Sequence, residues 1–158
     1  KDVVKEAVVL KPDGELLRLS KEELELGYRT SIIARKGYLV VSALLELEAG
    51  EKGTIEARMQ ELKEARTSKQ PLEYASAGST FKRPEGYFAG KLIMDAGLRG
   101  YAVGGAQVSE KHCGFVINRG GATAQNVLDL VRHVQEEVKK QFGVELELEV
   151  KLLGFFGN

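Results

Sequence analysis

The apolar positions of the first third of the chain follow extended rather than helical patterns. Val3-Val4 and Ala7-Val8-Val9-Leu10 predict a strand over residues 2–10. Lys11-Pro12-Asp13-Gly14 places Pro and Gly as a tight reversal prefers. Glu15–Leu19 resumes the extended pattern, so residues 2–19 predict a hairpin. Ser20 and Glu23 have the spacing of a capping box and open a short helical turn that ends near Gly27. Tyr38–Leu47, rich in Val and Leu, predicts a buried strand. After the turn Ala49–Gly53, Thr54 is the predicted cap of a helix over 55–67, with Ile55, Met59 and Leu62 along one face.

The texture changes after Arg66. Residues 67–88 hold the remaining prolines and few periodic apolar positions, which predicts a long functional loop or a crossing between domains. Ala89–Ala96 predicts a short helix stopped by Gly97, and Tyr101–Val103, Ala106–Ser109 and Gly114–Asn118 predict short strands. Val127, Leu130, Val131, Val134, Val138 and Phe142 recur at helical spacing between Thr123, a good cap, and Gly143, a good stop. Val144–Leu153 alternates Val and Leu with Glu and Lys and predicts a closing strand. The elements predict an α+β chain in two lobes.

Composition narrows the function classes. Lys+Arg and Asp+Glu are both 23, so the formal net charge is zero. A general nucleic-acid binder or a protein drawn to acidic membranes would carry a basic excess. Cys113 is the single cysteine, so no internal disulfide can form, and a reducing, cytoplasmic setting is expected. No apolar run nears the ~20 residues of a spanning helix, and the start has no signal-peptide pattern. Lys1 stands where an initiator Met would, close to the first predicted strand, so a piece of a longer polypeptide is expected. His112, Cys113 and His133 lack a chelating spacing, so no metal site is expected. Gly104-Gly105 and Gly120-Gly121 lack the spacing of a phosphate loop and read as turns.

The densest chemistry lies in Ser76-Ala77-Gly78-Ser79-Thr80-Phe81-Lys82-Arg83-Pro84. Gly78 permits a left-handed backbone, Ser79 offers a hydroxyl at the turn, and Lys82 and Arg83 can meet phosphate or carboxylate oxygens. By composition alone this is also what a surface loop with two solvated cations looks like. Three further segments accompany it in order: Gly27-Tyr28-Arg29-Thr30-Ser31-Ile32, Ala89–Ile93 through Gly104-Gly105, and Glu149-Val150-Lys151-Leu152-Leu153-Gly154. Together the four resemble the UDP-N-acetylenolpyruvoylglucosamine reductase (MurB) family, with its Gly-Ser-x-Phe-(Lys/Gln)-x-Pro, Tyr-Arg-x-Ser-Ile and Glu-Val-(Arg/Lys)-x-x-Gly segments.

The resemblance implies a C-terminal portion of such an enzyme, without the glycine-rich N-terminal FAD-binding part. Residues 1–70 would complete the FAD-binding domain, 71–146 would form the substrate-binding domain, and 147–158 would return as a terminal strand. It implies FAD and NADPH as cofactors, a UDP-sugar as substrate, and reduction of an enolpyruvyl group in peptidoglycan synthesis. Ser79 matches the family's proton donor, Arg29 the arginine that supports the enolate and carboxylate, and Glu149 the glutamate opposite. Glu145 and Glu147, in the same alternating stretch, read as solvated. Tyr28 matches a tyrosine beside the flavin. Lys69, Lys82, Arg83 and Arg99 are the cations expected at the diphosphate, with Arg99 replacing a lysine and Arg83 an asparagine of some members. His112 falls at a substrate-contacting position. Only the short turn 49–53 stands where some members insert a long loop with a substrate-closing tyrosine. Two other readings of the same residues are a non-catalytic module that holds a nucleotide sugar and a related FAD oxidoreductase with another substrate.

Overall fold

A computed structural model describes residues 1–154 of the chain, and in it they form two compact units, 1–55 and 56–158 by chain span. In the first unit, β1 (Val4–Leu10) and β2 (Leu16–Ser20) form the expected antiparallel hairpin, with Ala7 opposite Leu19 and Val9 opposite Leu17. Gly14 closes the turn at φ +86°, its N–H donating to the Lys11 carbonyl at 3.0 Å. The Ser20–Glu23 capping box is present: Ser20 N–H reaches the Glu23 carboxylate at 2.8 Å and Glu23 N–H reaches Ser20 Oγ at 3.3 Å. It heads a turn rather than a helix, because Glu25 adopts φ +45°, which ends any right-handed continuation.

A short helix unanticipated from the sequence follows, α1 (Ile32–Lys36). Ser31 Oγ caps it by accepting from Ala34 N–H at 3.3 Å, and Gly37 ends it at φ +66°. The core of this unit is Ala7, Val9, Leu19 and Leu24, packed by Leu17, Leu26, Ile32, Ile33 and Tyr38.

β3 (Leu39–Leu45) pairs antiparallel with β1 and completes a sheet of order β2-β1-β3. It is a strand, as expected, but it is not buried. Every residue of it is exposed, Leu39 to 66% and Val41 to 58%, because β1 pairs with one edge and none of its residues joins the unit's core. The next helix, α2 (Lys52–Lys69), also differs from expectation. Glu51 rather than Thr54 caps it: the Glu51 carboxylate accepts from Gly53 N–H at 2.8 Å and from Thr54 N–H at 2.6 Å. Its apolar residues Ile55, Met59 and Leu62 are exposed.

The second unit is built on an antiparallel sheet of order β4-β7-β6-β5, from β4 (Ala75–Ser79), β5 (Ala102–Val103), β6 (Ala106–Val108) and β7 (Phe115–Asn118). α3 (Ala89–Asp95) and α4 (Ala124–Phe142) cover it. Ala106, Val108 and Val116 from the sheet meet Leu92 and Ile93 of α3 and Leu130, Val131, Val134 and Val138 of α4, with Phe81 and Leu146 closing the core. Ile93, Leu130, Val134 and Val138 are fully buried, and each such side chain contributes about 1.5–3 kcal/mol of transfer free energy. α4 has the predicted ends: Thr123 and Asn126 form a reciprocal capping box and Gly143 stops the helix at φ +69°.

Two expectations for this unit change. β4 lies inside the stretch read as a loop. The strand expected over 144–153 is reduced, among the described residues, to one antiparallel bridge between Phe81 and Leu148. A side chain competes for its backbone: Gln135 Nε2 donates to the Leu146 carbonyl at 2.7 Å, which takes that group out of a ladder. Residues 155–158, part of the expected terminal strand, lie outside the described residues. The architecture is α+β. Among the described residues no helix is long and apolar enough to cross a membrane.

Candidate functional site

The chemistry-bearing residues of the second unit gather where β4 ends. Ser76 pairs with Ile117, but the next pair is Ser79 with Phe115, so β4 carries one extra residue opposite Val116. Gly78 makes this bulge with φ +87°, a conformation that a side chain there would strain. Bulges re-aim side chains, and this one turns the chain just before Ser79, which is half-buried. Thr80 and Phe81 then plunge into the core at 3% exposure each.

The last segment of the chain meets this strand end. Lys82 N–H donates to the Glu147 carbonyl at 2.8 Å, and Glu149 N–H donates to the Thr80 carbonyl at 2.9 Å. Glu149 is thereby held beside the Thr80–Phe81 peptide, one residue past Ser79. It is half-buried, whereas Glu145 and Glu147 are exposed, the distinction expected of them. Lys82 Nζ lies 2.8 Å from the Glu147 carboxylate, so this ammonium has a local counter-ion as well as any ligand it serves.

The other expected substrate contacts are spread over the same unit. Arg83 folds back on the entry to α3: its guanidinium lies over the Phe88 ring, 4.0 Å from the centroid, and Nε donates to the Tyr87 carbonyl at 3.3 Å. Phe88 and Tyr87 are exposed. His112 Nδ1 accepts from Gly114 N–H at 3.1 Å, which leaves Nε2 as the outward nitrogen. Its ring stands edge-on to Phe115, and Gly90 of α3 passes so close that a Cβ there would lie 3.3 Å from the ring. Arg99, just past α3, is exposed and places a guanidinium nitrogen 3.1 Å from Met94 Sδ. Lys69 is the last residue of α2 and is exposed.

Arg29 and Tyr28 belong to the first unit. They form the tip of a turn closed by Gly27 N–H on the Thr30 carbonyl at 3.0 Å. Arg29 sits at φ +54°, a left-handed conformation that costs a non-glycine residue about 1 kcal/mol or more. The turn presents both side chains outward: Tyr28 is 65% exposed and the Arg29 guanidinium lies 5.7 Å from its ring centroid. Strain of this kind persists where the surrounding structure demands it and marks functional positions.

Two of the second unit's cavities bear on the site. One, of about 350 Å³, runs beside β4 and is lined by aliphatic groups including Ala77, Thr80, Val116, Val127 and Val150. Neither Ser79 nor the expected cations line it, so it has none of the character of a phosphate site. The other, of about 170 Å³, is polar and was not foreseen from the sequence. Arg119 reaches Tyr74 Oη at 2.9 Å at its edge, Lys111 lies 3.5 Å from Glu73, and Gln107 Oε1 is buried with no hydrogen-bond partner among the described residues. Sequence offered no signal for it, because its residues come from three separate segments, 73–74, 107–111 and 117–119.

The family model described as "UDP-N-acetylenolpyruvoylglucosamine reductase, C-terminal domain" matches residues 70–153. A protein of that name from Agathobacter rectalis is 63% identical over 156 residues, which cover 99% of this chain and 50% of the relative. One from Clostridium botulinum is 60% identical over 152 residues, covering 96% and 50%. The crystal structure of UDP-N-acetylenolpyruvylglucosamine reductase from Thermus caldophilus superposes with a TM-score of 0.78 at 38% identity, covering 94% of this chain and 53% of that one. The chain spans about half the length of the curated relatives it matches.

Proposed function

The chain belongs to the UDP-N-acetylenolpyruvoylglucosamine reductase family, and from that membership we propose that it is the catalytic C-terminal half of an FAD- and NADPH-dependent enzyme. That enzyme reduces the enolpyruvyl group of a UDP-sugar to a lactyl ether, a step of peptidoglycan precursor synthesis. The observation that supports the reading is that the Glu149 backbone bonds to Thr80, the neighbour of Ser79, at the end of β4, which keeps a hydroxyl and a carboxyl in adjoining segments.

The residues present fit a flavin in one respect that bears on chemistry: the Tyr28 turn offers an exposed aromatic ring with a fixed cation beside it. A flavin bound there and reduced by NADPH would supply hydride to C3 of the enolpyruvyl group. The protein's part is to manage the charge and the proton that follow. Addition at C3 leaves negative charge at C2, delocalised into the adjoining carboxylate. Arg29 is assigned the support of that charge, because a guanidinium stays ionised and grips a carboxylate with two parallel bonds. Ser79 Oγ–H is assigned delivery of the proton to C2, and Glu149 a hydrogen bond to the developing enolate. Lys69, Lys82, Arg83, Arg99 and His112 are assigned to the UDP portion, where scattered cations on a protein of zero net charge make a local anion site.

Under this reading residues 1–70 complete the cofactor domain and 71–146 bind substrate. The uncovered apolar strand β3 supports a partner segment, taken as the N-terminal half that the relatives possess.

Ser79→Ala in the full-length enzyme tests the proposal. Flavin reduction by NADPH should stay within about twofold, while enolpyruvyl reduction in single turnover should fall about 10²–10⁴-fold, the usual worth of a positioned proton donor. Equal rates in both half-reactions would remove Ser79 from the chemistry. A UDP-sugar that binds with no turnover in the wild-type enzyme would favour the non-catalytic module.

A further inference from the structure

Thr80 uses all three of its hydrogen-bonding groups on three different partners. Its N–H donates to the Gly114 carbonyl at 2.8 Å, its carbonyl accepts from Glu149 N–H at 2.9 Å, and Oγ1 accepts from Val116 N–H at 2.9 Å. The last bond is the unusual one. Val116 stands opposite the bulge, between the paired positions Ile117 and Phe115, where the extra residue of β4 interrupts the ladder. A side-chain hydroxyl therefore takes a strand N–H at the bulged step, inside a residue that is 3% exposed. A buried N–H cannot fall back on solvent, so this bond is costly to lose.

The consequence reaches both proposed catalytic groups. Ser79 precedes Thr80 and emerges from the bulge; Glu149 hangs from the Thr80 carbonyl. One residue thus sets the spacing between a hydroxyl on β4 and a carboxyl on the terminal segment, and anchors both to β7. We propose that Thr80 is a positioning residue: its hydroxyl locks the β4 bulge against Val116 and so aims Ser79 and Glu149 at the same substrate atoms. Thr80 itself is 3% exposed and acts here through its hydrogen bonds to neighbours. This inference rests on the assignment of Ser79 and Glu149 above.

Thr80→Val keeps the shape and removes the acceptor. In the full-length enzyme, enolpyruvyl reduction should slow about 10- to 100-fold, as expected for sub-ångström misplacement of a reacting group. Flavin reduction by NADPH should stay within about twofold, and Thr80→Ser, which restores the hydroxyl, should recover the slow step to within about threefold. Amide exchange should speed up about 10-fold or more at Val116 and Glu149 in the valine variant only. If the valine variant does not fold, Thr80→Ala is read in the same way. An unchanged enolpyruvyl rate, or a serine variant as slow as the valine one, overturns the proposal. If the wild-type enzyme turns over no enolpyruvyl substrate, the functional reading falls instead. The exchange rates then decide alone: unchanged protection at Val116 and Glu149 overturns the positioning role, and its loss sustains it.

Discussion

Lys82 and Glu147 are joined twice, by a backbone hydrogen bond of 2.8 Å and by an ammonium–carboxylate contact of 2.8 Å. The first bond registers the terminal segment on the strand that carries Ser79. The second gives a proposed diphosphate-binding cation a competitor for its charge. Both side chains are largely in water, 41% and 74% exposed, so the ion pair itself contributes at most about 1 kcal/mol.

Glu147→Gln should therefore remove one competitor for the Lys82 ammonium and favour an anionic ligand there. UDP should bind the full-length enzyme about two- to fivefold more tightly at low ionic strength, and the gain should shrink as salt rises, because exposed charges are screened. The melting temperature should move by no more than about 2 °C. Calorimetric titration with UDP at two salt concentrations checks this. An affinity that ignores Glu147→Gln but drops in Lys82→Ala would place Lys82 on the ligand without competition; indifference to both would remove it from the site.

Arg29 pays a backbone cost for its place at φ +54°. Glycine adopts that conformation freely, so Arg29→Gly should leave stability unchanged or raise it by up to about 1 kcal/mol. The same change removes the guanidinium assigned to the enolate and should lower enolpyruvyl turnover about 10²-fold or more. Thermal melts and single-turnover rates on one preparation separate the two effects. A variant that loses stability along with activity would make Arg29 a structural residue of the turn.

These residues also show what sequence could and could not reveal. Glu149 was separable from Glu145 and Glu147 only through the Glu-Val-Lys-x-x-Gly context, since all three share one alternating pattern; the structure then gives it a different burial. β4 escaped notice because Ala-Ser-Ala-Gly-Ser has no β-branched or aromatic residue, and its strand character comes from pairing with β7. α1 is five residues long, too short for any periodicity, and its cap Ser31 and stop Gly37 show only in the structure. The bulge at Gly78 depends on a register with β7 that no local signal encodes. Helix α4 was readable throughout, because one long apolar stripe, a Thr cap and a terminal glycine all agree.

Glu51 makes the start of α2 sensitive to acid. Its carboxylate is held below its ordinary value of 4.5, first by the Gly53 N–H, then by the N–H and hydroxyl of Thr54. A carboxyl whose folded value is depressed contributes stability that is fully present above the unfolded value and is lost as pH falls through the folded one. Helicity from α2 should thus be complete at neutral pH and decline as pH drops below about 4.5. Glu51→Gln should be less helical at pH 7, and the difference from wild type should vanish toward acid. A far-UV circular dichroism titration of both proteins checks this; parallel curves would mean that the cap adds nothing.

β3 leads to the last expectation. It is an edge strand of seven residues, Leu39-Val40-Val41-Ser42-Ala43-Leu44-Leu45, exposed along its whole length. A long apolar edge with free N–H and C=O groups is a template for pairing with another chain. On its own this chain should associate at micromolar concentration and bind a hydrophobic dye. Co-expression with the N-terminal half of a relative should yield a complex in which the β3 amides are protected from exchange. Val41→Lys should reduce self-association of the isolated chain and, in the same stroke, weaken that complex, because one surface serves both. Light scattering of the isolated chain decides the first point: a monomer that stays monodisperse at high concentration and binds no dye would show that β3 is tolerated in water and seeks no partner. Exchange at β3 decides the second: amides equally open with and without the N-terminal half would mean that the half docks elsewhere.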